Sequence, residues 1–118
     1  MRPTTILAIA VILATSPALA MDKAEQAAED ALHQHDAWVL CMAKVALSLS
    51  KTPASHGAVA AMAVQSCQVD EAAFVNALAM GIGRIDALAV AKLERKRYQE
   101  GFTEEVAKVR IERQRKGS

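Results

Sequence analysis

Residues 41–67 read CMAKVALSLSKTPASHGAVAAMAVQSC, and this stretch decides the fold. Its ends, Cys41 and Cys67, are the only two cysteines of the chain. Its middle, Ser50-Lys51-Thr52-Pro53-Ala54-Ser55-His56-Gly57, gathers the residue types that turn a backbone. Ala54 lies thirteen residues after Cys41 and thirteen before Cys67. If the flanking segments are antiparallel helices, equal distance from the turn brings the two cysteines to the same height. A bridge needs Cα atoms about 4.4–6.8 Å apart, a spacing that close helix packing provides. Closing a loop of this size contributes about 3.5 kcal/mol in the chain-entropy account. A redox-active pair is the weaker reading. Active dithiols usually sit close together, as in C-x-x-C, where a neighbouring group lowers the pKa of one thiol.

Outward from this stretch the composition points the same way. The chain has 118 residues, 25 of them alanine, with only five glycines and three prolines. Alanine is the best helix former and is depleted in strands, so the expected fold class is all-α. The expected architecture is a disulfide-pinned antiparallel helical hairpin plus one or two further helices, the last long and charged. Asp22-Lys23-Ala24-Glu25 has the form of a capping box and predicts the start of the first helix. The stripe Ala27/Ala28, Ala31, His35, Trp38, Cys41/Met42, Val45, Leu49 carries that helix to about Ser50. Thr52 is the expected N-cap of the second helix, with Pro53 at its first position. Asp70 is the expected N-cap of a third, with Val69 and Phe74 as a hydrophobic staple. Gly81, Gly83 and Gly101 are candidate breaks, with Thr103 as a further N-cap. Ala79, Gly83, Ala87 and Ala91 recur four apart and predict a flat seam where another helix comes close.

The first twenty residues read as an address. Arg2 is followed by an unbroken apolar run, Ile6 to Ala14, and then by Pro17 and Ala18-Leu19-Ala20. A basic start, a short apolar core and an A-x-A site form a secretory signal peptide, cleaved after Ala20. The run is less than half of the roughly 20 apolar residues that spanning requires. The expected organisation is therefore a signal peptide at 1–20, an alanine-rich helical domain at 21–91 and a charged helix at 92–118. Export also favours a disulfide over two free thiols. Residues 72–93 are apolar as well, but Arg84 and Asp86 lie inside them and oppose membrane insertion.

Lysine and arginine number 14 against 13 aspartates and glutamates, so the chain is nearly neutral as a whole. The charge is unevenly placed: residues 21–91 sum to −4 and residues 92–118 to +4. The basic C-terminal helix is the candidate binding surface for an anionic envelope surface or an acidic partner, through Lys92, Arg95, Lys96, Arg97, Lys108, Arg110, Arg113, Arg115 and Lys116. The alternative is a solvated helix laced by pairs such as Glu104–Lys108 and Glu112–Lys116. The arm could also reach the acidic half of a second copy, making a homodimer. With a signal peptide in place, no nucleic-acid partner is expected.

Other sites are thin. In His33-Gln34-His35-Asp36 the two histidines point about 200° apart on a helix and cannot share one ion. Glu29, His33 and Asp36 share a face, which makes at best a weak exposed metal site. His35 falls on the apolar stripe, where a histidine either stays satisfied or senses pH. No nucleophile elbow, zinc-protease motif or phosphate loop occurs. Neither enzyme activity nor a cofactor is expected. Trp38 three residues before Cys41, Val64-Gln65-Ser66-Cys67 with Phe74 seven on, and the basic C-terminal helix give a layout similar to small periplasmic acid-stress chaperones. In that group the two cysteines lie farther apart, around a longer helical insertion. The expectation is a small exported, periplasmic binding protein. The resemblance implies the alternative, a stress chaperone that exposes apolar surface at low pH.

Overall fold

The computed structural model describes the backbone of residues 2–117 and the side chains of residues 22–117. Among them are four helices and no strand: α1 (Arg2–Leu49), α2 (His56–Ser66), α3 (Gln68–Ile82) and α4 (Arg84–Gly117). The signal-peptide expectation falls on side chains outside the described residues. The backbone is helical through Asp22, so the capping box there does not begin a helix.

The turn between α1 and α2 is longer than the Thr52-Pro53 reading expects. Thr52 stays with α1, its N–H and its Oγ1 both donating to the Leu49 carbonyl. Ser55 is the N-cap instead, with extended backbone and a side chain that accepts from the Ala58 N–H at 3.1 Å. A serine at that place satisfies one of the helix's orphan donors directly. The Cys41–Cys67 disulfide then ties α1 to the far end of α2, with Cα atoms 6.0 Å apart.

Cys67 both closes α2 and opens α3, so the two form one rod with a bend at the disulfide. Asp70 lies in the first turn of α3, where a carboxylate suits the helix dipole, and is not the cap. Val69 is exposed and does not staple Phe74, which enters the core. Gly83 takes φ +88°, a conformation that costs a side-chain-bearing residue, and ends α3 with its N–H on the Ala79 carbonyl. The apolar stretch 72–93 is thereby split between two helices. No helix among the described residues is long and apolar enough to cross a membrane. Gly101 breaks nothing: α4 runs straight through it, and Thr103 bonds back to the Gln99 carbonyl at 2.7 Å instead of capping.

α1 packs chiefly on α3, and α4 packs on both α2 and α3, so α1 and α4 flank the bent rod. Direct contact between α1 and α4 is sparse. Ala87 and Ala91 of the small-residue seam are fully buried, as are Ala60 and Ala63 on α2. Alanine on both sides lets α2 and α4 approach closely, and each buried methyl adds dispersion contacts at little entropic cost.

Candidate functional site

The four aromatic side chains of the sequence, Trp38, Phe74, Tyr98 and Phe102, meet in one cluster that joins α1, α3 and α4. Trp38 stacks on Phe74 at 5.6 Å between ring centres and takes Tyr98 edge-on at 5.8 Å. Tyr98 continues to Phe102. Trp38 is fully buried, and its Nε1–H has no acceptor among the described residues.

His35 lies at the edge of this cluster, against Phe74, Trp38 and Tyr98. Its Nε2 is 2.8 Å from the Tyr98 hydroxyl and 3.6 Å from a Glu94 carboxylate oxygen. Nδ1 is 3.9 Å from the exposed Asp36. This is the polar crossing between α1 and α4. Burial, and then the charge of Glu94, push the Tyr98 hydroxyl above its ordinary value of 10.0.

Above and below the crossing the α1–α4 seam is open and apolar. The upper cleft, about 420 Å³, has Phe74 and Leu78 of α3 as its floor, Ala28, Ala31 and Leu32 on one wall and Val90 on the other. His35 and Glu94 close its lower end. The lower cleft, about 230 Å³, lies between Ala43, Ala46 and Leu47 on α1 and Phe102, Val106 and Val109 on α4. The seam exists because α1 and α4 each pack on the α2–α3 rod more than on one another.

The basic helix is largely engaged with the molecule itself. Arg95 makes a bidentate pair with Glu71 of α3, one bond at 2.8 Å, and that contact holds its guanidinium above its usual value. Arg97 pairs with Glu94, Lys108 with Glu105 and Arg115 with Glu112, each three residues along α4. Arg110 donates to the Ser50 carbonyl at 2.9 Å and the Thr52 carbonyl at 2.8 Å, and lies 2.9 Å from His56 Nδ1. It is the clamp of the α1–α2 turn. Arg113 is half-buried. Lys92, Lys96 and Lys116 are exposed and make no ion pair among the described residues. The Glu104–Lys108 and Glu112–Lys116 pairs are replaced by i,i+3 partners.

Glu29, His33 and Asp36 are all exposed on α1. No group of three or more metal-ligating side chains gathers among the described residues. The aromatic cluster and the seam escape sequence reading because their parts lie far apart in the chain, up to 64 positions in the cluster and 66 across each cleft. The one local signal was His35 on an apolar stripe. No known protein family, curated protein or solved structure matches this chain.

Proposed function

We propose that this chain is a small exported protein that binds rather than catalyses, taking an apolar helical segment of an envelope protein into the α1–α4 seam. The observation that carries the reading is the upper cleft, an open apolar surface bounded by rigid helices and about the right size for side chains of a docked helix. Glu94 lines its lower end, and Asp36, in the half of the chain that sums to −4, lies beside His35. The charge of that rim suits a segment with a basic polar face. Export rests on the leader pattern of residues 1–20, and the disulfide accords with an oxidising compartment.

The test is titration of a synthetic amphipathic helix with a basic polar face, followed by the fluorescence of Trp38, the single tryptophan. Ala28→Arg is exposed on the helix, so the fold tolerates it, and it sets a cation in the cleft. Binding weakened at least tenfold by this change supports the seam. Binding that survives it but is lost when Lys92, Lys96 and Lys116 become glutamate moves the site to the basic arm. That outcome makes an anionic surface the partner.

The polar crossing favours one second reading, an envelope chaperone that opens in acid. Below about pH 3, under the reference carboxylate values, acidic side chains in general lose their charge, and α4 is tied to α1 and α3 by contacts that use such charges, Glu94 beside His35 and Glu71 on Arg95. An opened seam binds a hydrophobic dye and suppresses aggregation of a client at that pH. A chain that stays dye-silent there is not such a chaperone.

A further inference from the structure

The two clefts of the seam are built alike. Ala28, Ala31 and Leu32 on the α1 wall of the upper cleft return fifteen positions later as Ala43, Ala46 and Leu47 on the wall of the lower one. The α4 wall advances by the same step, from Val90 and Glu94 to Glu105 and Val109. Fifteen residues make about 22.5 Å of helix and about four turns plus 60°. Both walls therefore wind by the same angle between the clefts and keep facing each other. The polar crossing of His35 and Tyr98 lies between the two.

Gly101 marks the middle of this groove on α4. It stands seven residues after Glu94 and four before Glu105, so it shares their stripe of the helix. It is exposed, with open space where a Cβ would stand. Glycine inside a helix costs stability relative to alanine, and no contact within this chain asks for one there. Glycine serves where a second backbone must come close. The rim adds a charge preference. Glu29 and Asp36, three residues before Leu32 and four after it, are exposed and make no ion pair with lysine or arginine among the described residues.

We infer, on the reading of the seam as a binding groove, that one helix of a partner protein fills both clefts at once. Its two apolar clusters lie about fifteen residues apart, a small residue between them passes Gly101, and its polar face is basic towards Glu29 and Asp36. Two shallow clefts at a fixed distance select a partner by the spacing of its apolar clusters, which neither cleft does alone.

The test is calorimetric titration of the purified, disulfide-intact protein with two synthetic helices of basic polar face. One carries leucine clusters centred about fifteen residues apart with alanine between them. The other has them about eleven apart, which keeps the face and shortens the span by about 6 Å. The first binds about tenfold more tightly. Leu32→Arg and Leu47→Arg, at positions 64% and 54% exposed, each weaken it. Gly101→Leu raises the thermal midpoint and yet weakens binding about tenfold, a split that a merely structural glycine does not give. Equal affinity for the two helices overturns the inference, and so does Gly101→Leu binding as the wild type does. Loss in Leu32→Arg without loss in Leu47→Arg also overturns it and leaves the upper cleft as the whole site. Binding untouched by either arginine, or no binding of either helix, overturns the seam reading as well. A chain that is dimeric by itself and monomeric as Leu32→Arg makes a second copy the occupant and overturns the choice of partner.

Discussion

At the scale of single residues, Tyr98 and Arg110 show how this fold employs polar groups. Tyr98 is the only tyrosine, so absorbance at 295 nm reports its titration alone. Burial first and the Glu94 charge second favour its neutral form, so its midpoint lies above the ordinary 10.0. The sign follows from linkage. The unfolded chain loses this proton at lower pH than the folded one, so the associated stability is complete below pH 10. It declines as pH rises towards the folded value. Tyr98→Phe flattens that alkaline decline, as thermal melts at mildly and strongly alkaline pH will show. Arg110 bonds two turn carbonyls, one of them from the buried Ser50. Its replacement by alanine leaves them without their charged donor and costs about 2 kcal/mol, measurable in urea by Trp38 fluorescence. Nothing in the local sequence separates Arg110 from Arg113 or Arg115. The distinction comes from α4 passing beside a turn some 60 positions earlier.

At the scale of elements, the two glycines of interest behave oppositely. Gly83 holds positive φ at the α3–α4 junction, whereas Gly101 is an ordinary helical residue with open space around the position of a Cβ. Gly101→Ala is expected to stabilise α4 by about 0.5–1 kcal/mol. Gly83→Ala is expected to destabilise by about 1–3 kcal/mol, because alanine resists a positive φ joined to an extended ψ. Urea unfolding midpoints of the two variants, moving in opposite directions, check both. Sequence reasoning marks both glycines as candidate breaks because glycine is permissive, not prescriptive. Packing chose between them: α3 must turn at Gly83 for α4 to come back over α2. The same holds for the caps. Thr52 and Ser55 are both competent, and the extended backbone at Ser55 decides.

At the scale of the whole molecule, the disulfide is the principal covalent restraint on a core rich in alanine. The closed loop separates its ends by 26 positions. Replacing Cys41 and Cys67 together by serine is expected to lower stability by about 3.5 kcal/mol in the chain-entropy account. The measurement is the change in unfolding free energy extrapolated from urea. The bridge fixes α1 against the bend between α2 and α3, and the aromatic cluster then ties α4 to both. That order explains the seam. α1 and α4 are each held to the central rod, and the contacts described between them gather at His35, Trp38, Tyr98 and Glu94.

The sequence by itself determined the helical class, the Cys41–Cys67 pairing and the charge asymmetry between the two halves. These rest on local or countable properties: alanine's helix preference, equal spacing about a turn, and the sum of ionised groups. It also marked the apolar stripe of α1 through Trp38, Met42 and Val45, because helical periodicity is a local signal. Tertiary structure alone decided which cations are spent on internal partners. It also made one cluster of four aromatic rings scattered from position 38 to position 102. The physical reason is range. Propensity and periodicity act over a few residues, whereas a cleft or an ion pair such as Arg95–Glu71 depends on which helices are pressed together. That choice is made by packing the whole chain.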